Sequence, residues 1–169
     1  RYSPTTGTLL QTLDTATGSF VTGSAFDSSS NFYVTAFASR TVIKFDSNGN
    51  RLGEFGSGYN GRPESIIFDA DGNAYVGTVD GDNNVRKFTA AGVPVDQYPV
   101  TVERRGTDWI ELAADKCTLY YTSEGSVIKR YNICTKTQLA DFVAALPHSA
   151  AYALRLLPSG GLIVADSNE

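Results

Sequence analysis

Glu64 and Asp108 hold equivalent places one repeat unit apart, each just ahead of a short apolar run at 65–69 and 109–113. Thr22 and Tyr152 stand at the matching places in the flanking units. Carboxylates converging from neighbouring units could hold Ca²⁺, which gathers several oxygen ligands; the plainer reading is solvated acids at a loop end. Glu111 and Arg155 form a second equivalent pair, with Ala25 and Ile67 in the matching places. They read as a structural ion pair, with substrate binding by Arg155 as the alternative. Arg104 and Arg105 beside Trp109 could grip a sugar or an acidic group by stacking and bidentate hydrogen bonds; against this stand ordinary solvated charge and a tryptophan packed between units. His148 is the single histidine. It could serve as a general base, yet no Ser or Cys motif and no Gly-x-Ser-x-Gly elbow accompanies it, and one histidine excludes multi-histidine metal sites. The segments 46–50 and 80–83 look like pieces of calcium loops that lack the closing bidentate Glu. Asp80 and Asp82 are therefore weak metal candidates, and Asx turn chemistry explains both segments. No catalytic set is assigned.

The elements that must position these residues follow from a repeat of about 43 residues. Three segments superpose, at 24–55, 66–98 and 110–142, and a fourth begins at 154. Phe26, Phe68, Leu112 and Leu156 recur in step, as do Tyr33, Tyr75, Leu119 and Ile163; Phe45, Phe88 and Tyr131 match later, then Phe55, Tyr98 and Phe142. Short alternating runs separated by turn residues such as Asp71-Gly72-Asn73 read as four strands, a to d, in each unit. A period of this length built from strands is the signature of a β-propeller blade. The expected fold is thus all-β, a propeller of four-stranded antiparallel blades. The blades are 23–55, 65–98 and 109–142, with strands c and d of a preceding blade at 1–13 and strands a and b of a further blade at 153–169. Half, three and half blades read as part of a larger propeller, an expectation that the lack of any methionine supports; closure of a four-bladed ring by the two halves is the alternative. Strand a lines the central channel, and the d–a and b–c loops gather on one face, where Glu64, Asp108, Arg104, Arg105, Trp109 and His148 fall.

The segment 68–76 followed by Val85-Arg86-Lys87-Phe88 resembles the repeat of NHL-type and SMP-30 (gluconolactonase)-like propellers, and 26–34 with 42–46 is a second good copy. The opening segment 1–7 is similar to the c–d turn of bacterial secreted NHL-like proteins. The resemblance covers nearly the whole chain and implies an architecture of six or more blades. For activity it implies a channel metal held by carboxylate and amide side chains in the lactonase branch; the channel positions here do not reproduce that set, and no Asn is among them. The third unit departs most, with Asp115-Lys116-Cys117 at its first turn.

Formal charge is −4, from 14 basic and 18 acidic residues, and no basic stripe is present, which argues against nucleic acid as a partner. Apolar runs are strand-length, far short of the roughly 20 residues that a membrane helix needs. Cys117 and Cys134 flank a hairpin whose expected register sets Tyr120 opposite Tyr131 and the two cysteines opposite one another, close enough for a disulfide. That bond implies an oxidising, extracellular or cell-surface setting. The function expected is a non-enzymatic binding or assembly module, with its own remaining blades or neighbouring copies as partners through open half-blades, and a glycan or peptide as a further ligand. A calcium-dependent lactonase or hydrolase, and a lectin-like glycan binder, are the alternatives; no cofactor beyond Ca²⁺ is considered. Closing so short a loop stabilises by roughly 3 kcal/mol on entropic grounds. Native protein labelled with a thiol reagent should therefore take up none, and reduction should lower its denaturation midpoint.

Overall fold

The computed structural model describes residues 1–16 and 18–167; Thr17, Asn168 and Glu169, the last two within the expected fourth blade, lie outside the described residues. The repeat becomes strands, with no helix among the described residues. The first blade is β1 (Val21–Phe26), β2 (Phe32–Ala36), β3 (Thr41–Phe45) and β4 (Arg51–Phe55). The second is β5 (Arg62–Phe68), β6 (Ala74–Val79), β7 (Val85–Phe88) and β8 (Pro94–Tyr98), and the third is β9 (Ile110–Leu112), β10 (Thr118–Tyr121), β11 (Lys129–Asn132) and β12 (Thr137–Gln138). β13 (Ala150–Leu156) and β14 (Leu162–Ser167) make a two-stranded sheet. Every blade is an antiparallel meander in sequence order, and its innermost strand lies against the innermost strand of the next. This is a β-propeller.

The tight turns share one device. Asp27 accepts hydrogen bonds from the Ser29 and Asn31 amides at 2.9 Å, and from the Asn31 side chain at 2.8 Å. Asp46 does the same with Asn48 and Asn50, and Asp69 with Asp71 and Asn73. The spacing Asp-x-x-x-Asn thus closes three hairpins by satisfying the turn amides with a side chain. It also engages both carboxylate oxygens of Asp46, the acid at the head of the calcium-loop-like segment 46–50. The Tyr33 and Tyr75 hydroxyls donate to Asp27 and Asp69 at 3.0 and 3.2 Å, tying each turn to the core.

Blades adhere through one repeated contact. Phe68 packs on Tyr33 of the preceding blade with ring centroids 4.7 Å apart. Ile66 joins the same cluster, while Ile110 and Leu112 pack around Tyr75, and Leu154 packs against Tyr120. Phe26, unlike its counterpart Phe68, is 66% exposed, because the flank on which it lies has no inner strands of a neighbouring blade against it. Phe68 and Leu112 are partly buried. Residues 1–13 supply an isolated Tyr2–Leu9 bridge, rather than two continuous strands, and Leu13 packs on the first blade.

The third blade slips by one residue at two places. Its first turn has an extra residue, with Ala113 N–H bonded to Thr118 O where Asp27 bonds to Asn31 O. The counterpart of Tyr33 and Tyr75 is therefore Tyr120, not Leu119. On the outer edge Val143, bridged to Ile128, takes the place of Phe55 and Tyr98, while Phe142 is 44% exposed against Tyr120. The hairpin register also differs from the expected one: Leu119 faces Tyr131 and Tyr120 faces Arg130. The disulfide between Cys117 and Cys134 forms nonetheless, with Cα atoms 5.2 Å apart. Cys117 pairs with Ile133 by a 2.8 Å backbone hydrogen bond, and an Asn132 turn brings Cys134 back across it.

The contrast between the two phenylalanines is measurable. Phe68→Ala should cost about 2–4 kcal/mol, the lower part of the range for a buried aromatic, since Phe68 is half-covered. Phe26→Ala should cost less than about 0.5 kcal/mol. Urea denaturation of both variants decides it.

Candidate functional site

Thr22, Glu64, Asp108 and Tyr152 form the channel mouth, and the backbone there is irregular in three of the four blades. β-Bulges interrupt the a–b ladders between Val21 and Ser24, between Pro63 and Ser65, and between Ala151 and Ala153. The residues set out of register are Thr22 with Gly23, Glu64, and Tyr152. A bulge leaves one residue unpaired and re-aims its side chain. Asp108 comes just before β9, with its N–H on the Thr122 carbonyl at 3.2 Å.

Buried threonines fasten this rim. The Thr35 hydroxyl accepts from the Gly23 N–H at 2.6 Å and lies 3.0 Å from the Glu64 carbonyl of the next blade. The Thr122 hydroxyl accepts from the Trp109 N–H at 3.1 Å and donates to the Tyr152 carbonyl at 2.9 Å. In the second blade Gly77 stands at this place and the Thr107 hydroxyl fills it, accepting from the Thr78 N–H at 2.9 Å. A Cβ on Gly77 would come within 2.7 Å of the Ser65 hydroxyl and 2.9 Å of the Thr107 hydroxyl, so the exchange of threonine for glycine is steric. A threonine hydroxyl thus bridges each junction, joined at the first by the Thr22 hydroxyl, 3.0 Å from the same Glu64 carbonyl.

Around the mouth lies a cleft of about 360 Å³, lined by Phe20, Thr22, Glu64, Asp108, Trp109, Glu124, Tyr152 and Ala153. Asp108 is its most constrained member. It is 7% exposed, and neither carboxylate oxygen has a well-formed hydrogen bond among the described residues, the Glu124 N–H beside it making only a poor one. Burial, reinforced by the negative charges of Glu124 and Glu64, raises its pKa to about 8; Arg105 and the Glu124 amide oppose this without cancelling it. Burial also raises the pKa of Glu64. Glu124 is a member that sequence reasoning missed. It sits at positive φ in the b–c loop, a position that could have drawn attention only once the loop conformation was known.

The other sequence candidates separate into distinct groups. Arg105 pairs with Asp80 and, at 3.3 Å, with Glu124, and lies 5.4 Å from the centroid of the Phe37 ring, so it braces three blades. Asp80 also meets Arg62 at 3.3 Å, and Asp82 pairs with Arg86 and receives the Asn60 amide at 3.3 Å. Guanidinium groups thus occupy the place a cation would take at Asp80 and Asp82. Arg104 is exposed. Trp109 stacks with Arg155, whose guanidinium lies 4.9 Å from the ring centroid, rather than with Arg104 and Arg105. Arg155 also pairs with Glu111, as their equivalent places suggest. His148 lies 3.2 Å from Asp166, which also accepts its backbone N–H at 3.0 Å; sequence reasoning missed Asp166. Among the described residues no group of three His, Cys, Asp or Glu side chains gathers closely enough to hold a metal. A further cavity, of about 390 Å³, lies on the first blade's flank beside Phe26, Leu13 and Phe32, and its one carboxylate, Asp46, belongs to its own turn.

No family model matches the chain, and no curated protein does. Solved structures match in fold. Hydrazine synthase of Kuenenia stuttgartiensis superposes with a TM-score of 0.70 at 14% identity, covering 94% of this chain and 45% of its own. Virginiamycin B lyase of Staphylococcus aureus gives 0.67 at 13% identity, covering 90% and 50%. A Bacteroides caccae protein of unknown function gives 0.65 at 12%, covering 86% and 52%. The chain spans about half the length of these structures. At such identities the likeness is one of fold, a β-propeller.

The Asp108 carboxyl keeps its proton in the folded state up to about pH 8 and loses it near the ordinary 3.8 when unfolded. Between those values the folded state binds more protons, so this group's contribution to stability declines as pH rises through that window. Asp108→Asn, which does not titrate, should gain stability relative to the parent protein between about pH 5 and about pH 8. Chemical denaturation across that range tests it; parallel pH profiles would contradict it.

Proposed function

We propose that this chain is a non-enzymatic, ligand-binding β-propeller module that works in an oxidising, extracellular setting and receives its ligand in the channel-mouth cleft. One observation carries the reading: a buried carboxyl group, Asp108, lines an open cleft without a well-formed hydrogen bond among the described residues. A buried polar group left unpaired is costly, and a ligand that pairs with it removes that cost. The threonine-fastened rim favours recognition by a rigid, preorganised site. The disulfide supports the setting, and the repeat units support kinship with secreted NHL-type or SMP-30-like propellers.

Assembly is a second reading, favoured by the flanks. Phe26 is 66% exposed and Ile163 59% exposed, and these are the counterparts of Phe68 and Tyr33, which bury one another between the first two blades. Neighbouring copies, or further blades of the same protein, would be the partners.

A thermal-shift screen of sugars, amines, short peptides and divalent cations distinguishes these readings. The binding reading expects ligands that raise the melting temperature of the parent protein but not that of Asp108→Asn or Trp109→Ala. A screen without such ligands, alongside sedimentation that grows with concentration and reverts in Phe26→Ser, would replace binding by assembly.

A further inference from the structure

Resting on the cleft's being a binding site, we propose that its ligand is a primary alkylammonium group, held by Asp108 and Glu64 with its hydrocarbon chain against Trp109, Phe20 and Tyr152.

The wall chemistry selects this class. Three carboxylates, from Glu64, Asp108 and Glu124, share the cleft with three aromatic rings. Arg105 pairs with Glu124, which leaves Glu64 and Asp108 as the acids without an arginine of their own. A neutral sugar would supply hydroxyl groups but no charge to balance Glu64, and an anion would meet the like charge of Glu64 and Glu124. A metal ion would need ligands gathered on one point, and no three acids converge in that way among the described residues. A primary ammonium carries three donors and one charge, which suits two acids on different blades. Its alkyl chain suits a cleft walled by aromatic rings, and ring faces attract cations. The protein already uses that attraction: Arg155 stacks on Trp109, and Lys44 and Lys87 lie over Tyr33 and Tyr75 at 5.1 Å each.

Protonation adds a signature. Asp108 faces Glu64 from β5, Glu124 from the loop after β10, and Arg105 from the loop ahead of β9. Tyr152 lines the cleft from β13. An incoming ammonium favours the charged form of Asp108, so binding should release a proton below about pH 8 and strengthen as pH rises toward that value.

The experiment is calorimetric titration of the whole chain with n-pentylamine, n-pentanol, pentanoate, glucose and CaCl₂, from about pH 6.5 to about pH 8.5, in buffers of differing ionisation enthalpy. Pentylammonium should bind while pentanol and pentanoate do not, with proton release at the acid end of the range and affinity that rises and then levels off near pH 8. Asp108→Asn should weaken binding about tenfold or more, the worth of a hydrogen bond to a charged group. Trp109→Ala should weaken pentylamine more than it weakens methylamine. Circular dichroism confirms that both variants fold. Binding of glucose, Ca²⁺ or pentanoate in place of the amine, lost in Asp108→Asn, would overturn the ammonium assignment and leave the cleft as a binding site. Absence of binding by every probe would overturn both. Amine binding unchanged by Asp108→Asn, or without proton release, would overturn the assignment of Asp108 as the amine's partner.

Discussion

A four-stranded blade has two apolar faces and cannot cover either by itself. In this chain the inner edge of each face is covered by the next blade, through side chains from its innermost strand that seat against one aromatic ring: Phe68 on Tyr33, Ile110 and Leu112 around Tyr75, Leu154 against Tyr120. The tyrosines of the first two blades are fixed in turn by their own hairpins through Asp27 and Asp69. Local turn chemistry and long-range packing therefore meet in a single side chain. This coupling explains why the repeat retains an aspartate at the turn and a tyrosine one strand later, and why Phe26, on an uncovered flank, has the same sequence context and a different environment.

The mouth is a consequence of that stacking. Once blades are spaced by the aromatic contact, threonine hydroxyls at the ends of β2 and β10 reach the next blade's backbone and hold it in a bulged conformation. The bulges turn Glu64 and Tyr152 out of the ladder, and Asp108 comes in at the equivalent point ahead of β9. Three acids brought near one another in a partly dehydrated cleft cannot all carry charge easily, and the most buried of them, Asp108, bears the effect as a raised pKa. Arg105 limits the repulsion by pairing with Glu124, while its other partner, Asp80, ties the second blade to the third.

Much of this was legible in the chain itself. Period, strand order and turn positions follow from apolar alternation and Asp/Asn/Gly placement. The equivalence of Glu64, Asp108 and Tyr152 was likewise visible in the spacing. The third blade was harder, because its first turn carries one more residue than the others, and period-two alternation turns a single inserted residue into the wrong face. That slip moved the inter-blade anchor from Leu119 to Tyr120, and a second one, beyond β11, moved the outer-edge anchor from Phe142 to Val143. Glu124 and Asp166 were missed for another reason: Glu124 meets Arg105 and Asp166 meets His148 through loop conformations that the repeat pattern does not mark. Arg105 looked like part of a ligand grip with Trp109; the fold gives it to Asp80 and Glu124, and gives Trp109 to Arg155.

The proposed site depends most on Asp108 being a buried acid that lines the cleft without a well-formed hydrogen bond among the described residues. The direct measurement is the titration of its side-chain carboxyl carbon by NMR in isotopically labelled protein, with Asp108→Asn identifying the resonance. The predicted midpoint lies near 8 and falls when the cleft is filled with pentylammonium. A midpoint in the ordinary carboxylate range, near 3.8, would mean that Asp108 is solvated or already paired, and the cleft would lose its claim to be the site.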